Sequence, residues 1–142
     1  MTRAELVAFL RRHRHAVQAS VAADGAPQAA VVGIAVTDDA ELVFDTLDVT
    51  RKCVNLRRDP RIALVIGGDD DQTVQYEGVA DEPAGDELAR LQAIYFAAFP
   101  DGPERLAWPG ITYLRVRPTW IRYSDFRPAS ARIVELDPAT LA

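Results

Sequence analysis

The chain has 142 residues, 49% of them hydrophobic, enough for one domain that buries roughly two-thirds of its unfolded surface. Its formal net charge is −5, and its arginines are spread from Arg3 to Arg132 without a dominant basic block, which argues against nucleic acid as a partner. A single cysteine, Cys53, excludes an intramolecular disulfide and a thiolate-rich metal site; with no run of about 18 apolar residues and no signal-peptide pattern at the N-terminus, no membrane span and a cytoplasmic location are the default expectations.

Thr2 and Glu5 have the spacing of a capping box, and Leu6, Phe9 and Leu10 follow at helical intervals, which predicts a short helix over 3–13. Over 16–23, Val17, Ala19 and Val21 alternate with Gln18 and Ser20, the pattern of a half-buried strand, and Asp24 and Gly25 supply a hairpin turn. Residues 28–37 are apolar on both faces around Val31, Val32, Ile34 and Val36, the pattern of a strand covered on both sides. A turn at 38–40 leads into a strand over 41–46. Thr50 then caps a short helix over 51–58, which Asp59 and Pro60 end before a strand over 61–67.

After a turn at 68–71, residues 72–81 alternate again, with Val74 and Tyr76 on one face and Thr73, Gln75 and Glu77 on the other. A helix over 85–99 carries an apolar stripe of Leu88, Leu91, Tyr95 and Ala98, rich enough to cover a sheet and to join a second subunit. A Pro/Gly-rich loop over 100–109 precedes strands over 111–117 and 119–124; Pro118 between them predicts an edge or a bulge, and a last strand is expected over 132–136. Six or seven strands, tight turns and no repeated βαβ unit predict a single domain, 1–142. It is mainly β with α additions, an antiparallel barrel or meander.

Arg51 and Lys52 stand in the first turn of the helix over 51–58, where the helix dipole disfavours positive charge by roughly 0.3–1 kcal/mol each. Lys52 is the only lysine in a chain that otherwise uses arginine. A helix N-terminus, a guanidinium fork, an ammonium and the hydroxyls of Thr46 and Thr50 together match the needs of a phosphate monoester. The other explanation is a solvated helix start whose cations pair with Asp45 or Asp48. The residues alone leave both open.

The run of Phe44, Asp45 and Thr46, then Arg51 and Lys52, residues 55–57 and residues 59–61, preceded by an Asp-Gly hairpin and Pro27, resembles the pyridoxamine 5'-phosphate oxidase-like, FMN-binding split-barrel proteins. The likeness continues through residues 74–78 and 116–123 and covers most of 5–125. It implies a six-stranded antiparallel Greek-key split barrel with short flanking helices, which forms a homodimer with FMN in the grooves between subunits. The matching strand Ala30, Val31, Val32 and Gly33 lies against the isoalloxazine ring in that family, largely through backbone groups. Residues matching Thr46, Arg51 and Lys52 hold the phosphate, with Phe44 and Asp45 beside them; those matching Thr73 and Gln75 come from the partner chain. Trp120 is a candidate to stack on flavin or substrate through the resemblance only.

Two departures set the chain apart from the vitamin oxidase itself. The C-terminal residues 132–138 do not supply that enzyme's arginine-containing motif, and residues 28–32 carry no basic side chain where the true oxidases have one. Vitamin B6 oxidation is therefore not the expected activity. Elsewhere, His13 and His15 sit among arginines that repel a metal cation, and Asp69 to Asp71 lack the spaced ligands of a calcium loop, so no metal site is expected. Cys53 reads as a small core residue and Trp108 as core or interface.

A flavin carries its own hydride and electron chemistry, so the absence of a visible catalytic triad or carboxylate pair fits a flavin oxidoreductase acting on a small molecule, with no catalytic residue assignable from the sequence. A variant replaces FMN by 8-hydroxy-5-deazaflavin. The contrasting possibility is a binding protein that stores or senses flavin without turnover.

Overall fold

A computed structural model describes residues 1–129 and 131–142. The described strands are β1 (His15–Val21), β2 (Pro27–Gly33), β3 (Ala35–Val36), β4 (Leu42–Leu47), β5 (Arg61–Gly67), β6 (Gln72–Asp81), β7 (Ile111–Asp125) and β8 (Arg132–Leu136). They form one sheet in the order β2-β1-β5-β6-β7-β4-β3, with β8 added to β7. Every pairing is antiparallel. The split-barrel class is as the sequence predicts, but with eight strands rather than six.

The strand boundaries differ from those expected at two places where sequence periodicity is silent. The apolar run 28–37 is not one strand: it breaks at Ile34, whose N–H donates to Arg14 O at 2.9 Å. The two pieces then pair with different neighbours, β2 with β1 and β3 with β4, at opposite ends of the sheet. Nor is the run covered on both sides, since Val31 is 64% exposed. Conversely, the two strands expected around Pro118 are one, β7. Along one edge of β7, residues 111–116 pair with β4 and 121–125 with β8, so Pro118 falls in the gap where no ladder bond is needed. On the other edge the register with β6 shifts at Glu77/Gly78, which is the predicted bulge. Gly78 is required there, because a Cβ would meet Arg117 O and lie 2.7 Å from Val116 Cγ1.

Helix α1 (Arg3–Arg12) starts with the predicted capping box and buries Leu6, Val7, Phe9 and Leu10 in the barrel. There they join Leu42, Phe44, Leu64, Ile66, Val74, Leu114, Val116 and Ile121. Tyr76 sits among them fully buried, its hydroxyl proton shared between Ala40 O at 2.9 Å and Val116 O at 3.2 Å. Helix α3 (Gly85–Ala98) forms a second, outer core: Leu91, Tyr95 and the following Phe99 pack on Ala35, Val43 and Tyr113. A short 3-10 helix (Gly102–Ala107) occupies what the sequence presents as loop. No helix among the described residues is long and apolar enough to cross a membrane.

The polarity of β1 is inverted relative to its apparent pattern. Gln18 and Ser20 are 1% and 2% exposed, while Val17 is 46% exposed. Val17 stands between Val31 of β2 and Val65 of β5 in register, so three half-exposed valines line the outer face of the sheet. Helix α2 (Arg51–Arg58) packs against β1 on that inner side and hydrogen-bonds one of the inward polar side chains, Ser20, through Asn55.

Candidate functional site

Helix α2 is placed by polar contacts at both ends. Thr50 is its N-cap: its Oγ1 accepts from Cys53 N at 3.4 Å and donates to Leu47 O at 2.8 Å. Since that proton is committed, the 2.9 Å contact between Thr46 and Thr50 hydroxyls is donated by Thr46. Asn55, buried in the middle of the helix, donates to Ser20 Oγ at 3.1 Å and Gln28 Oε1 at 2.9 Å, tying α2 across β1 and β2. Arg58 donates to Val21 O. Cys53 is buried and burial pushes its thiol pKa up, so it behaves as the core residue the sequence suggests.

Between the start of α2 and the β1–β2 hairpin lies a cleft of about 360 Å³. Arg51, Lys52, Thr50 and Val49 form one wall, and Gln18, Ser20, Gln28 and Ala30 the other. The first turn of α2 has no acidic residue. Among the described residues neither Arg51 nor Lys52 is in an ion pair, nor are Arg12, Arg14, Arg58 and Arg132, whereas the other ten arginines each reach a carboxylate within 3.4 Å. Asp45, one of the two anions that could have neutralised them, accepts instead from Arg105 at 2.7 Å and Tyr95 at 3.0 Å. Asp48, the other, lies against Gly110.

Of the N–H groups at the start of the helix, Thr50 N donates to Leu47 O and Cys53 N to Thr50 Oγ1. Those of Arg51 and Lys52 are left without an intrahelical partner. Deeper in the cleft wall, Gln18 Oε1 is buried with no hydrogen-bond partner. Leaving such an acceptor unpaired costs about 1–3 kcal/mol, which a donor on a bound molecule would recover.

The residues singled out from the sequence fall in four places. Ala30, Arg51 and Lys52 meet in the cleft, with Thr46, 7% exposed, directly behind Thr50. Val32 and Phe44 are buried in the barrel core, and Gly33 is covered by Phe99, whose Cζ would lie 2.8 Å from a Cβ. Asp45 points away from the cleft to Arg105. Val31, Thr73, Gln75 and Trp120 occupy the opposite, outer face of the sheet: Gln75 pairs in register with Val65 and Arg122, and the Arg122 guanidinium lies 5.1 Å from the Trp120 ring. Within one protomer these outer-face residues do not reach Arg51 or Lys52.

Sequence reasoning passed over Gln18, Ser20, Gln28 and Asn55. Gln18 and Ser20 looked like the solvent side of a strand. The usable signal was Asn55, a short polar residue in the interior of a short helix, where it needs a partner to be tolerated.

A family model described as pyridoxamine 5'-phosphate oxidase matches residues 2–125. No curated protein matches the sequence. Among solved structures, a heme binding protein from Mycobacterium smegmatis superposes with a TM-score of 0.83 at 21% identity; the alignment covers 98% of this chain but only 59% of that one. A conserved hypothetical protein from Mycobacterium tuberculosis gives 0.75 at 27% identity, covering 89% and 86% of the two chains. A pyridoxamine 5'-phosphate oxidase-related, FMN binding protein from Nostoc punctiforme gives 0.70 at 14% identity, covering 94% and 87%. The structural likenesses under 25% identity speak to fold, and the family model speaks to descent: with residues 2–125 of 142 matched, the chain belongs to the pyridoxamine 5'-phosphate oxidase-like split-barrel family.

Proposed function

We propose that the protein is an FMN-dependent oxidoreductase that holds the flavin phosphate at the start of α2. The observation that carries this reading is the pair of cations, Arg51 and Lys52, with no carboxylate partner among the described residues, above two helix N–H groups that lack acceptors. A phosphate dianion matches both needs at once. The residues present fit FMN in a second respect: the unpaired Gln18 Oε1 asks for a donor, and a flavin carries ring N–H and ribityl O–H groups. Bound FMN supplies the hydride and electron chemistry itself, which fits a cleft with no acid–base dyad. The chain's own part is to anchor the phosphate through Arg51 and Lys52 and to present the β2 backbone at Ala30 to the ring.

The cleft is at the small end for a ligand of this size, and β2, which forms part of its wall, is an edge strand of the sheet. A second copy of the chain that packs on the apolar outer face at Val17, Val31 and Val65 and wraps around the β2 edge would cover the cleft mouth, giving a homodimer whose partner brings Thr73 and Gln75 toward the flavin. The substrate is a small molecule other than pyridoxamine phosphate, given the absence of basic residues in β2. An 8-hydroxy-5-deazaflavin is the alternative cofactor; only a form that carries a phosphate group would use Arg51 and Lys52, and as a diester it would offer them a single negative charge. Storage or sensing of flavin without turnover is the competing role.

The test is a fluorescence-quench titration of FMN, repeated with Arg51→Ala and Lys52→Ala, and with deazaflavin and hemin as alternative ligands. Micromolar or tighter FMN binding, weakened roughly tenfold or more by either substitution (about 1.4 kcal/mol), is expected. Binding of hemin but not of either flavin would sink the assignment. Accelerated oxidation of NADPH or NADH by the loaded protein separates an enzyme from a storage protein.

A further inference from the structure

We propose that Asp45, Arg105 and Tyr95, which do not touch the cleft, are positioning residues for its anion site. Together they fix the turn that presents Thr50, Arg51 and Lys52. The inference rests on the flavin reading above and adds to it a device that tunes affinity for the phosphate end alone.

The three side chains form a closed triangle. Arg105 Nε donates to Asp45 Oδ2 at 2.7 Å, Tyr95 OH donates to Asp45 Oδ1 at 3.0 Å, and Arg105 Nη2 donates to the Tyr95 hydroxyl oxygen at 3.2 Å. Arg105 Nη1 also reaches Asp101 at 3.0 Å. The Asp45 and Arg105 side chains are 14% and 17% exposed, so the pair is largely screened from water. Hydrogen bonding to Asp45 raises the Arg105 pKa, and burial, followed by the charge of Asp45, raises that of Tyr95.

This triangle governs the 3-10 helix because that element has little else to hold it. Its one buried residue is Gly102, while Leu106 and the adjoining Trp108 are 48% and 52% exposed. A segment without apolar anchorage takes its position from its polar contacts.

From Arg105 a continuous chain of bonds leads to the cleft. Trp108 N donates to Arg105 O at 2.9 Å and Ile111 N to Trp108 O at 3.2 Å. Gly110 O accepts from Asp48 N at 2.9 Å and from Thr112 Oγ1 at 3.1 Å. Gly110 has φ +79°, and a Cβ there would run into the Asp48 carboxylate, so residues 108–110 and the turn after β4 are fitted to each other. On the far side of that turn, Thr50 N and Oγ1 both donate to Leu47 O, at 3.1 and 2.8 Å. Asp45 therefore fixes, through Arg105, the direction in which the chain leaves its own strand two residues later. Phosphate recognition by two cations and two N–H groups tolerates displacements of only about 0.5 Å.

The closing experiment compares FMN with riboflavin, which lacks the phosphate, by calorimetric titration of the wild type, Arg105→Gln, Asp45→Asn, Tyr95→Phe and Arg105→Lys, with Tm measured for each. The wild type should bind FMN more tightly than riboflavin. Arg105→Gln and Asp45→Asn should cut that ratio about fivefold or more, with riboflavin affinity within about twofold of wild type, and Arg105→Lys should restore part of it. Tyr95→Phe keeps the ring packing and gives the ratio if the charge variants fold poorly. An unchanged ratio alongside a lowered Tm would overturn the proposal and leave the triangle a simple staple. Equal wild-type affinity for both flavins would overturn the phosphate site while leaving a flavin protein; no flavin binding at all would overturn both readings.

Discussion

Two pairs of cations in the molecule have opposite surroundings. On the α3 side of the barrel, Arg105 and Arg115 are nearly buried and each is matched by carboxylates: Arg105 by Asp45 and Asp101, Arg115 by Asp81 and Glu87, both at 2.7 Å. At the start of α2, Arg51 and Lys52 have no carboxylate among the described residues and stand at the end of a helix whose dipole opposes them. Matched charge buried at the junction of elements holds the fold; unmatched charge at an open cleft is a cost to the fold that only a ligand removes. The same residue type thus serves structure on one side and binding on the other, and the difference is legible only from what surrounds it.

Among the matched cations Arg115 is the most deeply buried, its side chain 7% exposed. Arg115→Met should destabilise the protein by about 2 kcal/mol, read as a lowered urea midpoint. That is less than the 3–5 kcal/mol of a wholly buried pair, because Asp81 and Glu87 stay partly solvated and retain Arg117 and Arg90 as neighbours. A loss below about 0.5 kcal/mol would deny the matched cations a structural role.

Thr50→Ala tests the hinge between the two regions. It removes the α2 cap and should cost about 1 kcal/mol of stability, together with a measurable loss of FMN affinity as the first turn loosens. Unchanged midpoint and affinity would remove Thr50 from both roles.

The smallest effect is also the most discriminating. Arg51→Ala and Lys52→Ala should leave Tm unchanged or raise stability by a few tenths of a kcal/mol, since each removes a cation from a helix N-terminus. The same variants lose flavin affinity. A drop in Tm of the ligand-free protein would show that these side chains are structural after all.

Local chemistry in the sequence was sufficient for several elements. Thr2 and Glu5 cap α1, Thr50 caps α2, and the alternation in β6 puts Val74 and Tyr76 inside and Thr73, Gln75 and Glu77 outside, because each of these rests on contacts within a few residues. The positions of Arg51 and Lys52 in the first turn of a helix, and hence the candidate anion site, follow from the same short range.

What the sequence could not decide depended on partners far along the chain. Ser20 turns inward to accept from Asn55, thirty-five residues later in the chain, and Gln18, two residues before it on the same strand, shares that face. The run 28–37 divides at Ile34 because its halves have different neighbours, and β7 continues through Pro118 because the missing donor falls where β4 has ended and β8 has not begun. Asp45, beside Thr46 in sequence, faces the other way in space, since successive residues of a strand point to opposite faces and Arg105 waits on that side. Sequence alone therefore determined the caps of α1 and α2, the three α-helices, the barrel class and the unusual cation pair. Only the tertiary structure decided which polar groups are matched and which remain open, because a hydrogen-bond partner is chosen by proximity in the folded chain and not by spacing along it.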